Sequence, residues 1–177
     1  MELGIDRFNI SQSFNDLELL QSLAPIANAL QGKLNSNFKI SGNLTNELTP
    51  DLNSLTGAVF GELLATKVTP KNAVVFDKLK GALTFVDFDK LNLNDLKTKL
   101  NFENGKVNVS PFNLAYEDIA ITVQGSHSFD KTMSYQAVFD VPAKYFGDEV
   151  NDLIAKINTD RRINLQYLLR HPLEGVF

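Results

Sequence analysis

The sequence predicts an α+β domain: a curved antiparallel β-sheet of about six to seven strands, with three helices packed at one face or end. Three observations carry this. Apolar and polar residues alternate through most of the stretch from Lys97 to Phe139, as strands with one buried face require. Asn104-Gly105 sits between two such runs and is the strongest hairpin signal in the chain. Three other stretches place apolar residues at helical spacing instead.

The first helical stretch is Asn15 to Leu30, where Leu19, Leu23, Ile26 and Leu30 form one stripe. Ser13 with Asp16 is its start signal and Gly32 its stop, and Pro25 kinks it or begins a second short helix. A strand follows in FKISGNL, with Phe38, Ile40 and Leu44 on one face and Lys39, Ser41 and Asn43 on the other. Thr49-Pro50-Asp51 is turn chemistry. The run from Leu55 to Val68 has apolar residues on both faces, as in a strand covered on each side, and Gly57 and Gly61 suit a bulge or a close approach.

Asn72 to Leu83 fits a second helix, carrying Val75, Leu79 and Leu83. Next, Leu96, Thr98, Leu100 and Phe102 alternate with Lys97, Lys99, Asn101 and Glu103. The Asn104-Gly105 turn leads into Val107 and Val109, and Ser110-Pro111 bends or bulges the chain because proline cannot donate to a central ladder. Ile119, Ile121 and Val123 point inward on the following strand. His127 to Lys131 reads as a turn, and Met133, Tyr135, Ala137 and Phe139 return. Pro142 opens the third helix, striped by Phe146, Val150, Leu153 or Ile154, and Ile157, and INLQYLL is a last strand.

With 177 residues, one domain with a sizeable core is expected over residues 1–177. A net charge of −4 argues against nucleic acid as a partner, since neutralising phosphates takes a surplus of Lys and Arg. The chain has no cysteine, which excludes thiol nucleophiles, disulfides and Cys-ligated zinc. No apolar run reaches the roughly 20 residues that span a bilayer as a helix, and MELGIDRFNISQSF lacks a signal peptide's plan.

Catalytic groups are sparse. His127 and His171 are the only histidines, and alternation sends Ser126 and His127 to opposite faces, so they cannot form a nucleophile–base pair. Asp87, Asp89 and Asp95 are spaced like calcium ligands, but the fifth and sixth positions of an EF-hand loop are here Leu91 and Asn92, where an oxygen ligand and glycine are needed. Glu117-Asp118 and Asp148-Glu149 read as surface charges. No enzyme, cofactor or metal is expected.

The order of motifs is more informative than any one of them. It runs from Pro25 and Gly32 through Gly42-Asn43-Leu44 and Thr49-Pro50-Asp51-Leu52-Asn53-Ser54-Leu55-Thr56-Gly57 to Phe102-Glu103-Asn104-Gly105-Lys106-Val107. It continues through Val109-Ser110-Pro111-Phe112, Gly125, Asp130, Val141-Pro142 and Phe146-Gly147. Across about residues 15 to 160 this resembles the C-terminal region of AsmA-like proteins, particularly the Bacteroidetes type.

The resemblance implies a periplasmic module of a longer protein anchored in the inner membrane by an N-terminal segment. It also implies a role in outer-membrane biogenesis through lipid handling, and no catalytic residues. Expected partners are phospholipid or other lipid, and envelope proteins. The expected lining of an apolar groove is Phe38, Ile40, Leu100, Phe102, Val107, Val109, Ile119, Ile121, Val123, Tyr135 and Phe139. Helices laid on that face would make the same residues an ordinary core. A structural or protein-interaction module in outer-membrane protein assembly is the alternative.

Overall fold

In a computed structural model of the chain, the described residues are 2–9, 30–68, 86–87, 90–129, 132–157 and 160–172. They form one open antiparallel sheet of eight strands, paired strictly in chain order: β1 (Glu2–Asn9), β2 (Leu30–Ser41), β3 (Thr56–Val68), β4 (Lys97–Glu103), β5 (Lys106–Tyr116), β6 (Ile119–Ser128), β7 (Thr132–Pro142) and β8 (Arg162–Pro172). One α-helix, α1 (Asp148–Ile157), and two short 3₁₀ turns, Leu52–Ser54 and Ala143–Phe146, complete the described elements.

The expected α+β domain of six to seven strands and three helices is therefore corrected to an eight-stranded meander with one helix among the described residues. The expected helices at 15–30 and 72–83 lie outside the described residues, save that Leu30 opens β2. Its supposed stop, Gly32, lies within β2, where the register with β3 shifts between Gln31 and Lys33. β1 escaped the sequence reading because ELGIDRFN has a break in its alternation, and its register with β2 shifts between Ile5 and Phe8.

Several local readings hold. Asn104 and Gly105 both adopt positive φ, 52° and 70°, as a two-residue turn that matches strand twist demands. The β5–β6 register shifts between Val109 and Phe112, at Ser110-Pro111. Asp51 caps the first 3₁₀ turn, its Oδ1 accepting from the Asn53 amide at 3.1 Å, and this loop delivers Leu55 into the core.

Others fail for physical reasons. Leu44 leaves the β2 face, bridging instead to Pro50, and is 61% exposed. β3 is not covered on both sides: Phe60, on its outer face, is 55% exposed beneath the Lys99 ammonium, 5.3 Å from the ring centroid. Pro142 ends β7 rather than opening a helix. The chain makes a 3₁₀ turn through Phe146, and Gly147, at φ 91°, separates it from α1. The α1 stripe is not buried, for Leu153 and Ile157 stay exposed.

Candidate functional site

Residues directly opposite one another in an antiparallel ladder project to the same face. The registers can thus be chained across the sheet. One row runs Phe38, Val59, Leu100, Val109, Gly125, Tyr135, crossing the six strands from β2 to β7. The next is Ile40, Gly57, Phe102, Val107, His127, Met133. Toward the opposite end, Tyr116 faces Ile119, Leu114 faces Ile121 and Phe139, and Phe112 faces Val123 and Ala137. Most positions of these rows are apolar, while Ser36, Gly61 and Thr98 form a small and polar row on the same face.

The reverse face is polar. It carries the row Lys39, Ala58, Asn101, Asn108, Ser126, Ser134, and elsewhere on it cross-strand bonds join Gln124 to Gln136 at 2.9 Å and Thr122 to Asn113 at 2.9 Å. Glu62 accepts from Asn35 at 3.1 Å and pairs with Lys97 at 2.9 Å.

All eleven residues expected to line a groove lie on the apolar face. They do not share one environment. Phe102, Val107, Ile119, Ile121 and Phe139 are buried core, at 3% exposure or less. Ile119, Ile121 and Phe139 belong to a cluster closed by Val86, Leu91, Leu93 and Leu96, with Val123 packed against it. Phe102 and Val107 belong to a second cluster, with Leu55 and Val59, flanked by Phe38, Ile40 and Leu100. Val109 and Tyr135 are half-buried and belong to neither cluster.

The segment from 90 to 96 extends the sheet irregularly beyond β4. Leu63 donates its amide to the Leu96 carbonyl at 2.9 Å, and Asn92 donates to the Ala115 carbonyl at 3.3 Å. The described part of this aspartate-bearing run, in which no EF-hand loop was expected, is thus a packing element. Lys90 pairs with Asp87 at 3.4 Å, and Leu91 and Leu93 are buried. Among the described residues no three metal-ligating side chains gather.

Polar groups on the apolar face were missed by sequence reasoning. His127 is no turn residue but a buried strand residue opposite Val107 and Met133. Its Nδ1 lies 2.9 Å from the Tyr135 hydroxyl, and the two rings stack. Burial pushes the Tyr135 hydroxyl well above the ordinary tyrosine range. Gly125 makes room for this ring: a Cβ there would meet Tyr135 Cδ1 at 2.6 Å. Alternation, applied one residue further along the strand, would have placed His127 on the inner face. Ser36 Oγ is buried on the same face without a hydrogen-bond partner. Ser126 faces the other way, opposite Ser134, so no nucleophile–base pair forms with His127.

A polar clamp fastens one end of the sheet. In the β5–β6 turn, Asp118 Oδ2 receives Lys144 at 2.6 Å, while the Tyr145 hydroxyl lies 2.7 Å from Asp118 Oδ1 and 2.8 Å from Glu117 Oε2. Arg162 donates from Nη2 to the carbonyls of Asp118 and Asp140. The Lys144 bond, and then the Tyr145 bond, hold the Asp118 carboxyl below its ordinary value of 3.8. A depressed carboxylate adds stability at pH above its unfolded value and loses it as pH falls through the folded one. Stability should therefore decline below about pH 4, and Asp118→Asn should flatten that decline in urea midpoints followed between about pH 5 and about pH 3.

The chain matches no family model, no curated protein and no solved structure.

Proposed function

We propose that this domain is a non-enzymatic module of an AsmA-like envelope protein, acting in the periplasm, and that its apolar sheet face handles lipid during outer-membrane biogenesis. The observation that carries the reading is the row from Phe38 to Tyr135, apolar from strand to strand except at Gly125 and Tyr135 and backed by a mostly polar reverse face. Eight strands about 4.8 Å apart span roughly 34 Å, comparable to a bilayer core of about 30 Å. Each acyl methylene brought into water costs about 0.8 kcal/mol, so a sixteen-carbon chain costs on the order of 12 kcal/mol. A lipid carrier therefore needs apolar surface that continues from strand to strand. The half-buried residues Phe38, Leu100, Val109 and Tyr135 are the part of the face placed to supply it.

The test is lipid carriage. The domain, purified from a membrane-containing lysate, should retain phospholipid detectable by mass spectrometry. Val109→Asp should lose most of it, while Lys99→Asp on the reverse face should not, with circular dichroism confirming that both remain folded. A folded wild-type domain without lipid, or equal retention by both variants, overturns the reading.

A second reading, a protein-interaction module in envelope assembly, is favoured by α1. Its Leu153 is 56% exposed and its Ile157 75% exposed, which leaves an apolar stripe available to a partner.

A further inference from the structure

The two edges of the sheet are built differently. β1 is short and its register breaks between Ile5 and Phe8, and such an irregularity discourages further pairing. β8 pairs with β7 through eleven consecutive residue pairs, Thr132–Pro172 to Pro142–Arg162, without a shift. Among the described residues no strand pairs with its outer side. Its only proline, Pro172, is its last residue. A long, regular edge with unpaired amides and carbonyls is a template for another strand.

We propose that β8 pairs antiparallel with β8 of a second copy of this chain about a two-fold axis at Tyr167. The occupant follows from the strand's own sequence. The one register that uses all eleven residues is centred on Tyr167. It sets Leu165 opposite Leu169, Ile163 opposite His171, Gln166 opposite Leu168 and Asn164 opposite Arg170. No two charged residues oppose each other. Sliding the centre by one residue, to Gln166, shortens the overlap and sets Arg162 against Arg170. The two-fold keeps each face on its own side, because opposite residues share a face. The product is a sheet of twice the width, its apolar side continuous across the axis. This pairing does not rest on the lipid reading.

The absence of cysteine makes the register directly testable. Gln166 and Leu168 are both exposed on the polar face. Gln166→Cys and Leu168→Cys chains, mixed and oxidised, should form a mixed disulfide, because directly opposite residues lie roughly 4.5–5.5 Å apart between Cα atoms, within disulfide reach. Either variant alone should cross-link far less, because a residue and its own copy are then diagonal neighbours roughly 7–8 Å apart. Sedimentation of the unmodified chain should show a dimer that dissociates on dilution. The double variant Gln166→Lys/Leu168→Lys should be monomeric, as should Gln166→Glu/Leu168→Glu, and mixing the two should restore the dimer. A wild-type chain monomeric up to hundreds of micromolar, or cross-linking without preference for the mixed pair, overturns the proposal. So does a charge-variant mixture that stays monomeric.

Discussion

Replacing Phe139 by alanine is expected to cost about 3–5 kcal/mol of folding stability, the range for emptying a buried phenylalanine site. The same substitution at Phe60 should cost less than about 1 kcal/mol. Both are phenylalanines in strand interiors, and only the face differs. Phe139 is 3% exposed, opposite Ile121 and Leu165 and surrounded by Leu91, Leu93, Leu96 and Val141. Phe60 is 55% exposed, with only the Lys99 ammonium over its ring. Domains are stable by only about 5–15 kcal/mol, so the first loss removes a large share of the total. In a chain of this length it should lower the melting temperature by roughly 10 °C. Urea unfolding followed by far-UV circular dichroism measures both variants on one scale. A larger loss at Phe60 would mean that the face described as solvated is the buried one, and the site would have to move to it.

The same contrast explains how much of the molecule was legible beforehand. Period-two alternation is a property of neighbouring residues, so β4 to β8 were legible as strands, and the inward residues of β4, β6, β7 and the start of β5 could be read directly. The registers then turned those sets into one surface, which is why all eleven expected lining residues share a face. What alternation does not encode is cover. Ile119 and Val123 look alike in sequence, yet the first is 1% exposed in the cluster with Val86 and the 90–96 segment, and the second only half-buried. That segment's aspartates and Leu96 were read, but not the packing of Leu91 and Leu93, which help to anchor it. His127 was misassigned because a polar residue near a strand end suggests a turn, while its Tyr135 partner lies on the next strand and leaves no local signal. β1 was hidden by its own irregularity. α1 was found, but helical periodicity says only that a stripe exists, not that anything covers it.

The second large effect is expected at Gly57, where alanine should cost on the order of 3 kcal/mol or more, while Gly61→Ala, four residues along the same strand, should stay within about 1 kcal/mol. Both are inward-facing glycines of β3, opposite Ile40 and Ser36 respectively. Gly57 has φ 128°, a conformation that L-residues rarely adopt, and a Cβ there would collide with the Lys39 carbonyl and come within 3.0 Å of Ile40 Cα. Those are backbone atoms of a paired strand, so relief requires the β2–β3 ladder itself to shift. At Gly61 the nearest atom is the end of a leucine, Leu34 Cδ1 at 3.3 Å, which a small side-chain rotation clears. Denaturation midpoints should separate the two variants, and hydrogen exchange should show lost protection at Lys39–Ser41 and Thr56–Val59 in the first only. Equal, small losses would mean that β2 and β3 approach less closely at this point than their register requires. The row Ile40, Gly57, Phe102, Val107 would then lose its continuity at β3, and with it the argument that the apolar face runs unbroken from strand to strand.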